Sequence, residues 1–327
     1  MNVNIISKEK VTFIHIANNK NLNVVLSTFG ASIFRIDYLN KIMTLTNKNY
    51  EDFYLSNNYY GKTIGRIANR VKDGLVTIND KTYQMDVNEG KNCLHSGKDG
   101  WSHKIFDLNI IDTKDEYIYV SFTYFSKDLE QGLPGNCKIE VIYKIYLEED
   151  IIDITYNVTS DKDTVIAITN HSFFSLGEKD LSTLSLFIDA DKYVQCGITD
   201  LIPLTTKEVT PVLDFRKKKS IMDQIKDPSI YNGKAHGYDH DFLFSNIGLD
   251  NKNFVLESKD IILDVRSDYE SCQIYTCNYE DKHPILTSDK DIYQGIAIEP
   301  QDSLLNRRII KKNEIYNRNI RYIFSKK

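Results

Sequence analysis

Apolar and polar side chains alternate along much of the chain with a period of two, the repeat of a half-buried β-strand. In residues 138–147, Ile139, Val141, Tyr143, Ile145 and Leu147 fall on one face, opposite Lys138, Glu140 and Lys144. In residues 152–158, Ile152, Ile154, Tyr156 and Val158 oppose Asp153, Thr155 and Asn157. Further strands are predicted at 117–125, 165–170, 273–275 and 318–324. Turn clusters stand between them at Gly132-Leu133-Pro134-Gly135, Glu148-Glu149-Asp150 and Asn232-Gly233. Helical signal is thin. One short helix is predicted at 220–225, capped by Ser220, with Ile221, Met222 and Ile225 inward. Many short strands without regular strand–helix alternation predict an all-β fold, a large antiparallel β-sandwich with few short helices. No repeat, low-complexity tract or flexible linker interrupts the chain, so residues 1–327 read as one domain.

Composition narrows the class. The chain carries 21 Tyr and 15 Phe, types that suit a pleated surface. At 41% apolar and 27% charged it is too apolar for disorder. A net charge of −5 gives no electrostatic case for nucleic acid, whose binders present a concentrated basic face. No apolar run approaches the roughly 18 residues of a membrane span, and the first residues lack a signal peptide's charged-then-apolar order. Five scattered cysteines (Cys93, Cys137, Cys196, Cys272, Cys277), with no C-x-x-C, read as reduced thiols of a cytoplasmic enzyme. Without a signal, the glycosylation sequon Asn157-Val158-Thr159 reads as accidental.

Several familiar chemistries are excluded. There is no G-x-G-x-x-G, H-E-x-x-H or G-x-S-x-G, and Ser56 stands where a phosphate loop ending in Lys62-Thr63 needs its first glycine. His236 and His240 have no cysteine or third histidine nearby and read as a pair of loop histidines; no metal is expected. What remains is a set of short polar segments. They are Gly65-Arg66-Ile67-Ala68-Asn69-Arg70, Asn92-Cys93-Leu94-His95-Ser96-Gly97, Thr169-Asn170-His171-Ser172, Gly237-Tyr238-Asp239-His240 and Ile298-Glu299-Pro300-Gln301. Together they supply a carboxylate, imidazoles, a guanidinium and amides, the groups that proton transfer on a neutral polyhydroxylated molecule requires. Pleat geometry places Ala167, Thr169 and His171 on one face, and likewise Gly295, Ala297 and Glu299. The small residues are expected to leave room for a ligand beside each titratable group.

The order and spacing of these segments resemble the aldose 1-epimerase (galactose mutarotase) family over nearly the whole length. Gly30-Ala31-Ser32, Gly132–Gly135 and Leu213-Asp214-Phe215-Arg216 share in the likeness. The resemblance implies the galactose mutarotase-like β-supersandwich, and interconversion of the α and β anomers of free aldoses such as galactose and glucose without cofactor or metal. By motif it implies Glu299 as general base and His171 as general acid, with Asn69, Arg70, His95, Asp239 and Gln273 holding the sugar hydroxyls. A monomer or homodimer with a small-molecule sugar as partner is expected, and neither nucleic acid nor membrane. The chain departs from the family pattern at Ser96, Trp101, His103, Cys277 and the Asp302-Ser303-Leu304-Leu305-Asn306 stretch, which bears on pocket shape.

Ring opening by this pair needs Glu299 ionised and His171 protonated, and a nearby carboxylate is expected to raise the His171 pKa. Two rival readings stand beside this one. A hexose-phosphate epimerase would need a basic cluster such as Arg307, Arg308, Lys311 and Lys312. A non-catalytic sugar-binding sandwich would need neither Glu299 nor His171.

Overall fold

The strands read from alternation form with their ends displaced by a few residues at most: Cys137–Tyr146, Ile151–Ser160, Tyr117–Ser126, Ser271–Tyr275 and Tyr316–Lys326. The structure, a computed structural model, describes residues 2–231, 236–279 and 292–327. The Asn232-Gly233 turn lies outside the described residues. Ile139, Val141, Tyr143 and Ile145 are fully buried, as are Ile152, Ile154, Tyr156 and Val158. Their polar alternates are partly or wholly exposed.

Two large antiparallel sheets face each other. The nine-stranded one runs Asp107–Thr113, Tyr117–Ser126, Cys137–Tyr146, Ile151–Ser160, Tyr316–Lys326, Ile261–Ser267, Phe254–Glu257, Ser185–Ile188 and Lys219–Ser220. The six-stranded one runs Phe173–Phe174, Ile296–Gln301, Ser271–Tyr275, Asp239–Phe244, Ala190–Cys196 and Pro203–Glu208. Five further strands between Val3 and Ile42 make an N-terminal sheet. Phe242, Cys272, Ile274, Ile296 and Ile298 join Ile139, Val141, Tyr156, Leu263, Val265 and Tyr322 in a shared core. The alternate residues of the same strands, Asp241, Gln273 and Glu299, therefore lie on the outer face of the six-stranded sheet. That face is covered as well, and every residue of Ile296–Gln301 is buried.

Two local predictions are corrected. Residues 165–170 form two short strands, Thr164–Ile166 and Thr169–Asn170. The chain changes partner between them: the first pairs with Arg308–Ile310, Ala167 bridges Ile67, and the second pairs with Thr63–Ile64. No helix forms at 220–225. Lys219–Ser220 is already committed to the sheet against Ser185 and Leu186, and the Ser220 hydroxyl caps only a turn, accepting from the Met222 amide. Ile221 and Ile225 are nevertheless buried. Among the described residues one α-helix forms, Tyr50–Leu55, capped by the Asn49 side chain, which accepts from the Asp52 amide at 2.8 Å.

Arg66 explains why two of the motifs occur together. Its fully buried guanidinium donates to the carbonyls of Leu133 (3.2 Å), Pro134 (3.0 Å) and Lys127 (2.8 Å). The 65–70 segment is thereby fastened to the turn in which Gly132 and Gly135 adopt left-handed conformations (φ 80° and 91°).

Candidate active site

Neighbouring short strands bring His171 to Glu299. Phe173 pairs with Ala297, so His171, two residues earlier, falls opposite Glu299. His171 Nε2 lies 3.3 Å from Glu299 Oε1. The two residues are 5% and 2% exposed, so neither is a solvent-facing position at a strand end. Among the described residues, His171 Nδ1 and Glu299 Oε2 have no hydrogen-bond partner. Gly295 and Ala297 do not leave room for a ligand as expected. A Cβ on Gly295 would stand 2.7 Å from Leu45 Cδ1 and 2.9 Å from the Phe174 carbonyl oxygen, and Ala297 is packed with Leu45, Tyr60 and Phe173. Those residues close the sheet face on one side of Glu299.

The other five residues close in around the pair. Gln273 stands in register with Glu299, and its amide donates to Asp239 Oδ1 at 2.5 Å. His95 Nδ1 accepts the Asn69 amide at 3.1 Å, so the neutral ring carries its proton on Nε2. Asn69 takes a left-handed conformation (φ 61°), which an asparagine tolerates. Arg70 is gripped by Glu89 through Nε (2.6 Å) and Nη2 (2.8 Å). Asn69, Arg70, Asp239 and Gln273 line one small recess with Cys196, Leu201 and Leu304. His95 reaches the pair from another side, its ring centroid 5.2 Å from that of His171.

Several participants were not foreseen. Tyr59 packs against both His95 and His171 (centroids 4.6 and 5.7 Å) and opens onto a cavity of about 220 Å³ walled by Phe173, Tyr275 and Cys277. Glu89 belongs to an Asn-Glu-Gly turn that nothing in the sequence distinguishes from other surface turns. Asp241 was legible, since pleat alternation puts it on the same face as Asp239. Another cavity, about 540 Å³, lies beside Phe13, Tyr50 and Tyr54 on the N-terminal sheet and contains none of the seven residues.

Burial dominates the electrostatics. It pushes the Glu299 carboxyl well above the usual carboxylate range, with Asp239 and Asp241 adding like charge and Arg70 opposing. His171 is pushed down to about 3 by the same loss of water. This corrects the expectation that a carboxylate neighbour raises it. Both shifts move the pair's proton toward Glu299, leaving two neutral groups. His95 is likewise held well below the ordinary histidine value by burial, with His171 and Arg70 contributing.

The rest of the sequence-derived chemistry disperses. Arg308 pairs with Glu314 and Lys311 with Asp163, while Arg307 turns inward to donate to the Arg70 carbonyl. No four-fold basic cluster is presented. His236 is exposed beside Tyr231, but His240 is buried on the strand Asp239–Phe244 rather than in a loop. Among the described residues no group of three histidine, cysteine or acidic side chains could hold a metal ion, all five cysteines are free, and no helix is long and apolar enough to cross a membrane. Two of the departures, Ser96 and Asp302, have local explanations. Ser96, in a left-handed conformation (φ 65°), accepts the Ile67 amide at 2.7 Å and donates to the Ile67 carbonyl at 3.0 Å. Asp302 is buried in an ion pair with Arg318.

A family model described as aldose 1-epimerase matches residues 12–323. The chain belongs to the aldose 1-epimerase family. It is an isomerase of that family, as its curated relatives are. It is 30% identical to the aldose 1-epimerase of Haemophilus influenzae over 254 residues, 74% of this chain and 71% of that one. It is 27% identical to the galactose mutarotase of Sus scrofa over 288 residues, 82% and 79% of the two chains. The fold superposes on the crystal structure of galactose 1-epimerase from Lactobacillus acidophilus with a TM-score of 0.89, covering 99% of this chain and 98% of that one at 24% identity. The galactose mutarotase-like sandwich expected of the family is the fold observed.

Proposed function

We propose that the protein interconverts the α and β anomers of free aldohexoses such as galactose and glucose by acid/base-catalysed ring opening and closure, without a cofactor. The reading rests on one observation above all: the buried contact between His171 and Glu299, each with a polar atom left without a protein partner. The pair shares a single proton. With that proton on His171, Glu299 accepts the proton of the C1 hydroxyl, the C1–O5 bond breaks, and O5 takes the His171 proton. The open-chain aldehyde then stands beside a neutral histidine and a protonated carboxyl, the distribution that burial favours. Rotation about C1–C2 and closure in the reverse sense give the other anomer. Asn69, Arg70, His95, Asp239 and Gln273 hold the hydroxyls, and Arg70, kept charged, steadies negative charge as it develops.

Polarimetry with α-galactose, α-glucose and α-glucose 6-phosphate tests the proposal. Faster anomerisation of the free sugars than of the phosphate is expected. Acceleration of the phosphate alone would make the enzyme a hexose-phosphate epimerase, and binding without acceleration would make it a sugar-binding sandwich.

A further inference from the structure

A carboxyl group that the mechanism above does not use stands two strands away from Glu299. Asp241 is 0% exposed, on the strand Asp239–Phe244 and on the same pleat face as Asp239. It pairs in register with Gln273, which pairs in register with Glu299. Asp241, Gln273 and Glu299 thus form one row across three adjacent strands, its ends roughly 10 Å apart at ordinary strand spacing. Asp241 Oδ1 accepts from Gln301 Nε2 at 3.4 Å, and Oδ2 accepts from the Leu304 amide at 3.3 Å. The same carboxyl is therefore tied to the strand that carries Glu299 and to the loop whose Leu304 lines the recess beside Arg70.

We propose that Asp241 is a positioning residue of this reaction: a second buried carboxyl, aligned with Glu299 through Gln273, that governs how tightly Glu299 holds its proton. The proposal rests on the reading of Glu299 as a proton-exchanging group. The charged and titratable groups around Asp241 come from every neighbouring element: Glu299, Glu270, Cys272, Cys196 and the Arg307 guanidinium. Arg307 is the one cation in that set. Burial carries Glu299 well above the usual carboxylate range and raises Asp241 to about 7, where it ionises. Its negative charge then opposes a second charge in the same row, and Glu299 keeps its proton to higher pH. The pH range in which the His171–Glu299 pair holds one proton is thereby widened at its alkaline end.

The test is Asp241→Asn in the full-length enzyme. The amide still accepts from Leu304, and Gln301 can turn its unpartnered Oε1 toward the new Nδ2, so both contacts survive. Removing one charge at about 10 Å, at an effective dielectric near 20, should lower the alkaline limb of kcat/KM for galactose by about one pH unit. The Glu299 carboxyl signal in ¹³C-Glu NMR, assigned with Glu299→Gln, should move its midpoint by the same amount. Superimposable limbs and carboxyl titrations in wild type and variant would overturn the proposal and leave the proposed function standing. A shifted carboxyl titration in a protein that turns over no aldose would do the reverse. Should Asp241→Asn fail to fold, the wild-type Glu299 signal decides: a second inflection where Asp241 ionises supports the coupling, and a single-step curve refutes it.

Discussion

His171 and Glu299 meet at 3.3 Å across a strand junction from which water is excluded, and each leaves one polar atom without a protein partner. A pair that existed only to hold the sheet together would satisfy those atoms, because a buried polar group without a partner costs about 1–3 kcal/mol. Glu299→Gln and His171→Ala should therefore each lower kcat by roughly 10²–10⁴, as loss of a general acid or base does. Polarimetry gives the rate and circular dichroism the fold; near-wild-type turnover in either variant would remove that residue from the mechanism.

The pH profile carries the sign of the two pKa shifts. One proton resides on the pair between a lower step, set by His171 near 3, and an upper step, set by Glu299 well above the carboxylate range. Acid adds a second proton, alkali removes the only one, and either stops the exchange. A plot of kcat/KM should run flat through the ordinary histidine value of about 6.5. A limb centred there that persists in Asp241→Asn would mean that His171 titrates as a solvated imidazole.

Arg70 is held in place by Glu89. Arg70→Ala should raise KM for galactose, with kcat falling as well to the extent that its contact strengthens in the transition state. Glu89→Gln keeps the charge on Arg70 but loosens its two hydrogen bonds, so a smaller rise in KM with little change in kcat is expected. Unchanged kcat/KM for both variants would place the sugar elsewhere.

Ser96 offers a stability test beside the site. Ser96→Ala removes both hydrogen bonds to Ile67, leaves a buried amide without a partner, and keeps a side chain in a left-handed conformation. A loss of about 2–3 kcal/mol is expected. Ser96→Gly loses the same bonds but relieves the backbone, and should cost about 1 kcal/mol less. Urea melts of the two variants check the order.

Buried His240 makes stability depend on pH. Its pKa is lowered to about 4 by burial, so the folded state keeps the ring neutral while the unfolded chain takes up a proton near 6.5. The contribution is present above 6.5 and is lost as pH falls toward 4, at roughly 1.4 kcal/mol per pH unit. The stability difference between wild type and His240→Gln should therefore shift against the wild type as the buffer is taken from about pH 7 to pH 5. A difference independent of pH would show that His240 is not neutralised by folding.

The sequence by itself determined the periodic part of this protein. Alternation around Ile139–Tyr143 and Ile152–Tyr156 specifies both strand and buried face, because a shift of one residue would turn every apolar side chain to solvent. Ordered polar segments marked seven residues, of which Asn69, Arg70, Asp239 and Gln273 line one recess while His95, His171 and Glu299 lie buried together. Tertiary structure alone decided the rest. The split at Ala167 depends on two different strands and an isolated bridge to Ile67, none of which local pattern encodes. Ser220 carries a helix-start signal, yet a distant strand claims its backbone first. Gly295 and Ala297 read as space for a ligand until Leu45 and Phe174 arrive from elsewhere in the chain to fill it. The direction in which the proton leans between His171 and Glu299 is likewise invisible in the sequence, because it depends on how completely the assembled sheets and loops exclude water from both groups.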